Sequence, residues 1–131
     1  MTSLPLTSLV TLLICLLMFT TGANVARARG LYGIKAPAVT GHDMFERAYR
    51  IQMNTLENTV LMLPALWLCA GFIGDRGAAA MGVVWLVARI WYAIAYQKDP
   101  LKRGSGFGLA LLAFAGLGFG ALWGVVRVML P

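Results

Sequence analysis

Residues 4–23 read LPLTSLVTLLICLLMFTTGA, twenty residues without a charge. At ~1.5 Å of rise per helical residue they reach about 30 Å, the thickness of a bilayer's hydrocarbon core. A secretory leader would open on basic residues and carry a shorter apolar core, whereas only Met1, Thr2 and Ser3 precede this run. The stretch is therefore expected to be a first transmembrane span rather than a leader. The rest of the chain agrees with that solvent. Of 131 residues, 60% are hydrophobic and 12% charged, and the mean hydropathy is +0.76. That is more apolar surface than one small soluble core hides.

Three further apolar runs follow, at residues 56–74, 77–96 and 104–126. The spans are placed at about 4–24, 54–74, 77–97 and 104–127, with residues 24–53 as the one long connection. No length remains for a soluble domain. Backbone groups in hydrocarbon must be paired within their own segment, so the fold class is an all-α integral membrane protein, a bundle of four transmembrane helices. Arg27, Arg29, Lys35, Arg47, Arg50, Lys98, Lys102 and Arg103 fall on the side of the first and third connections, against Arg76 and Arg127 on the other. The positive-inside rule then places both termini outside and the basic connections in the cytoplasm.

Several features carry no chemistry of their own. Cys15 and Cys69 lie inside predicted spans without clustering, and read as packing or lipid-facing residues. His42 stands alone, so neither a metal centre nor a catalytic triad is expected around it. Gly104, Gly108, Gly116, Gly120 and Gly124 recur at multiples of four and suggest a helix-packing face. The string GSGFG at 104–108 opens a membrane helix, follows no strand and is not a nucleotide loop.

Polarity gathers in FERAYRIQMNTLEN, residues 45–58. On a helical wheel Glu46, Arg47, Arg50, Asn54, Glu57 and Leu61 share about one third of the circumference, so one polar face descends into the membrane. Charges at such depth pair with one another or line a wet cavity. Gln52 points to the opposite side. In the third span Arg89, Tyr92 and Tyr96 share a face. Pro100 is expected to end that helix, and Arg103 to open the fourth, where its charge adds to the positive end of the helix dipole.

FERAYRIQMNTLEN together with RIWYAIAYQKDPLKR, residues 89–103, resembles the membrane-associated proteins in eicosanoid and glutathione metabolism, the MAPEG family, nearest to its microsomal glutathione transferases. The likeness covers essentially the whole chain, including ARARGLYGIKAPAVTG of the first connection. It implies a homotrimer that binds glutathione, as co-substrate, in clefts between neighbouring subunits. Position by position, it implies that Arg50, Asn54 and Glu57 hold the tripeptide from one helix, with Tyr92 and Tyr96 from the third span. Gln52 would reach in from the adjoining subunit, and Arg29 would lie near the carboxylates. Arg103 matches the arginine facing the thiol and is the expected catalytic residue.

The implied activity is a glutathione transferase, or peroxidase, acting on a lipophilic electrophile or lipid hydroperoxide from the bilayer. No metal and no nucleic-acid partner are expected. The alternative is a non-catalytic lipid-binding or scaffold member of the same family, against which Arg103 argues. A small four-span exporter would need an acidic residue in the first span, which has none. Asn58 and Thr59 stand where an aromatic residue commonly follows the family's glutamate, and Gly30 where some members carry a second arginine.

Overall fold

A computed structural model describes residues 3–130. Helix α1 covers Pro5–Tyr32, α2 Asp43–Phe72, α3 Asp75–Lys98 and α4 Gly104–Met129, with a 3-10 turn at Pro100–Lys102 before α4. Each helix is long and apolar enough to cross a membrane. α1 and α4 lie on opposite sides of a central α2–α3 pair and pack against both of its members.

The expected connection at residues 24–53 is much shorter, running only from Gly33 to His42. Charge keeps a segment out of hydrocarbon without keeping it out of a helix. α1 therefore continues through Arg27 and Arg29, and α2 begins before Arg47 and Arg50. Local chemistry sets these ends. α1 stops where Gly33 adopts φ 69°, a left-handed conformation that suits glycine, and its N–H donates to the Arg29 carbonyl. α2 starts at His42, whose Nδ1 accepts from the Met44 N–H at 3.1 Å and whose ring stacks on Tyr32 at 3.7 Å. The residue left without a catalytic role by the sequence is a helix cap.

α1 has no capping side chain of its own. The Asp75 carboxylate, at the start of α3, takes that place by accepting from the Leu6 and Thr7 N–H groups at 3.0 and 2.8 Å. It ties together the two helix N-termini at one end of the bundle. Replacing Asp75 with Ala is expected to lower the unfolding midpoint in detergent, because the Leu6 and Thr7 N–H groups lose their acceptor.

Lipid tails do not drive helices together as water does, so association depends on close fit of small side chains. The main core follows that rule: Val10, Ile14, Met62, Leu66, Trp85 and Leu117 interlock among buried Ala78, Ala88, Ala110 and Ala113. Conversely, Leu9, Leu12, Leu16 and Phe19 of α1 and Leu112, Phe119, Leu122 and Trp123 of α4 are exposed, as suits a lipid solvent.

The glycine pattern of α4 divides. A Cβ at Gly116 would meet Met81 Cε at 2.7 Å, one at Gly120 would meet Cys69 Sγ at 3.0 Å, and one at Gly124 would meet Phe72. Gly104 and Gly108 face nothing within 4 Å. The tightest backbone approach is at Gly106, outside the pattern, where a Cβ would lie 2.6 Å from Tyr92 N and 2.9 Å from Ala88 O. Since both obstacles are backbone, Gly106→Ala must push α4 off α3. The expected cost is about 1–3 kcal/mol, as for other overpacking, measurable by thermal unfolding.

Candidate functional site: a polar groove between α2, α3 and α4

Helix ends and the 3-10 turn build a groove at the end of the bundle that holds the Gly33–His42 connection. It encloses about 460 Å³ and is lined by Arg50 and Asn54 of α2, Tyr92 and Tyr96 of α3, and Arg103, Gly104 and Phe107 at the start of α4. The volume lies in the range of small-ligand sites, roughly 300–1,000 Å³. Five of the sequence-predicted residues therefore converge: Arg50, Asn54, Tyr92, Tyr96 and Arg103.

Arg103 is fixed by the break between α3 and α4. α3 ends at Lys98, and the carboxylate of the next residue, Asp99, accepts from the Leu101 N–H at 3.0 Å and starts the 3-10 turn. The turn delivers Arg103 as the residue preceding α4, with its guanidinium 5.5 Å from the Tyr96 ring centroid. α4 has no side-chain cap, and Gly104 at its first turn lines the groove. The groove thus meets two guanidiniums, the positive end of a helix, and no acidic lining residue. Such a place selects anions.

Beneath this surface lies Arg89, fully buried. Its Nη2 donates to Asn54 Oδ1 at 3.0 Å and to Thr55 Oγ1 at 2.7 Å, and its guanidinium lies 4.0 Å from the Tyr92 ring centroid. Its Nε and Nη1 have no protein acceptor. Asn58 Nδ2 donates to the Asn54 carbonyl at 2.8 Å and approaches its Oδ1 at 3.4 Å. With Asn54 Oδ1 taken by Arg89, its amide N–H₂ is the end left for a ligand. Asn58, a departure from the family pattern, is here a brace for Asn54.

The predicted polar face of α2 splits. Arg47 turns to α3, where its Nη1 donates to the Gln97 and Lys98 carbonyls, both at 3.0 Å, and its Nη2 pairs with Asp43 at 2.7 Å. It caps the last turn of α3. Glu46 accepts weakly from the Gly41 N–H at 3.4 Å. Glu57 is exposed, beyond the groove lining. Two further predicted residues also lie outside the lining. Arg29 donates to the Ala38 carbonyl at 2.7 Å and covers the Phe45 ring at 4.9 Å. Gln52 turns toward α1, its Nε2 3.0 Å from where a Cβ on Gly22 would be.

Sequence reading missed Phe107, whose ring stands 6.4 Å from that of Tyr92. An apolar side chain in an apolar span gives no signal. It also missed Thr55, although its spacing from Arg89's helix could not have revealed it without the packing of α2 on α3.

The MAPEG family model matches residues 7–123. Among relatives, an uncharacterized protein of Synechocystis is 43% identical over 119 residues, 91% of this chain and 87% of its own length. Rat leukotriene C4 synthase is 32% identical, covering 93% of this chain and 92% of its own. Mouse microsomal glutathione S-transferase 2 is 38% identical over 88 residues, 67% of this chain, a match that spans 60% of that relative's length. With a family match across almost all of α1 to α4 and relatives at these identities, the chain belongs to the MAPEG family.

Proposed function

We propose that the groove binds glutathione and that the protein joins it through its sulfur to a lipophilic electrophile, or uses it to reduce a lipid hydroperoxide. The observation that carries this reading is the lining itself: two guanidiniums and an uncapped helix N-terminus beside two phenols, with no acid among them. Relatives bearing the names leukotriene C4 synthase and microsomal glutathione S-transferase 2 support it.

Glutathione carries two carboxylates, which planar guanidiniums grip through charge-assisted bonds. Arg50 takes this role, with Asn54, Tyr92 and Tyr96 donating further hydrogen bonds. A free thiol titrates near 8.5, and a neighbouring cation favours the thiolate, the attacking form. Arg103, beside Gly104 and the α4 N-terminus, supplies that cation. The thiol proton leaves to solvent, with the guanidinium stabilising charge at sulfur beforehand. The thiolate then bonds to an electrophilic carbon, and the electron pair displaced there, from an opened epoxide C–O bond or a conjugated C=C bond, takes a proton from solvent. With a hydroperoxide, a second glutathione completes the step, giving alcohol, water and the disulfide.

The working unit is a homotrimer in this reading. Arg29 and Gln52 lie toward α1, away from the groove lined by α2, α3 and α4. A second copy set against that groove would bring its own Arg29 and Gln52 to the ligand, and exposed Glu57 would receive the glutathione ammonium. The basic end faces the cytoplasm, and both termini face outward. Purified protein is expected to conjugate glutathione to a small hydrophobic electrophile. Arg50→Ala should weaken glutathione binding about tenfold or more, the ordinary cost of losing a charge-assisted contact. Absence of turnover with several electrophiles and hydroperoxides would reject the enzymatic reading.

A further inference from the structure

A second groove lies on the other side of α3, between α3 and α1, with α2 as its floor. It encloses about 560 Å³ and shares no lining residue with the polar site. Leu13 and Leu17 of α1 and Leu86, Ile90 and Ile94 of α3 form its walls. Toward the basic end the lining changes to Asn24 and Gln97. There Asn24 Oδ1 accepts from Arg27 Nη2 and Nε at 3.0 and 3.2 Å, which holds the guanidinium at the groove mouth. Lys98 follows Gln97 in sequence at the same end. Among the described residues, neither Arg27 nor Lys98 has an acidic partner within ion-pair distance.

We infer that this groove holds one acyl chain of an anionic phospholipid, with the lipid phosphate at Arg27 and Lys98. The order of chemistry along the groove is that of the lipid. Hydrocarbon walls lead to the Asn24 amide, where an ester carbonyl would lie, and then to cations without acidic partners; Gln97 Nε2 is taken by the Met44 carbonyl at 3.3 Å. Asn24 offers its N–H₂ to an ester because its oxygen is taken by Arg27. From Leu13 to Asn24 the helix rises about 16 Å, close to half of a ~30 Å hydrocarbon core, so the groove is as long as one leaflet. A basic mouth distinguishes the headgroup, because juxtamembrane cations attract anionic lipids in preference to neutral ones.

The test is native mass spectrometry of the intact protein with dioleoyl phosphatidylglycerol or dioleoyl phosphatidylcholine. Phosphatidylglycerol adducts should survive about fivefold better, with Arg27→Gln removing most of that preference. Ala93→Trp, which fills the groove, should abolish the bound lipid. Phosphatidylglycerol with a diazirine in its acyl chain should label wild-type protein within residues 13–24 and 86–97, a readout that does not depend on any variant folding. Equal retention of the two lipids, or labelling confined to other segments, would overturn the inference. So would a change of oligomeric mass in Ala93→Trp, which would identify a second copy of the chain as the occupant. None of these failures bears on glutathione binding in the polar groove.

Discussion

Arg103→Ala is expected to lower the conjugation rate by roughly 100-fold, the usual loss when one preorganised charge-stabilising group is removed, while glutathione affinity changes little. Arg103 is exposed at the groove mouth, leans over Tyr96 at 5.5 Å and directly precedes the first turn of α4. In the proposed pose it would meet the sulfur without being needed to hold the rest of the tripeptide, which Arg50 and Asn54, lining the groove from α2, would reach. Its loss should also move the pH–rate profile. Without the guanidinium the bound thiol returns toward its ordinary value near 8.5, so the remaining rate should climb into the alkaline range. Arg103→Lys should recover part of the rate through charge alone. Equal loss of rate and affinity in Arg103→Ala would instead make Arg103 a binding residue.

The second large effect concerns the buried cation. Arg89 is shielded from solvent and held by only two acceptors, Asn54 Oδ1 and Thr55 Oγ1. Thr55→Val keeps the shape but removes the 2.7 Å acceptor. Losing a hydrogen bond to a charged group costs about 1.5–3 kcal/mol, and the unfolding midpoint should fall accordingly. Arg89→Met should behave differently. Replacing a buried charge by an apolar side chain of similar reach is often neutral for stability. It does free Asn54 and withdraw the cation from beneath the Tyr92 ring, so glutathione affinity should drop about tenfold, or ~1.4 kcal/mol. The double variant should be more stable than Thr55→Val alone, because no charge is left stranded. Additive destabilisation in the double variant would contradict the stranded charge as the cause.

Arg50, Asn54, Tyr92, Tyr96 and Arg103 were legible because helical spacing puts each set on one face and Pro100 ends α3 just before Arg103. Arg29 and Gln52 could not be placed by spacing within one chain, since the cleft proposed for them would be completed by another copy. Glu57 shared the wheel face of Asn54, yet the groove lining ends before it. Hydropathy measures fitness for hydrocarbon, so it ends the first span near residue 24 and opens the second near residue 54, whereas the helices α1 and α2 continue past those limits. Gly106 escaped notice for another reason. Spacing by four selects Gly104 and Gly108, whereas the approach of α3 depends on how the two helices cross.

The most direct test is the ultraviolet absorbance of glutathione thiolate on titrating purified protein at neutral pH, with calorimetry on the same samples. Glutathione binding at the polar groove should give a saturable thiolate signal in the wild type. In Arg103→Ala the heat of binding should remain and the thiolate signal vanish. A wild-type protein giving neither heat nor thiolate would contradict glutathione as the ligand of this groove.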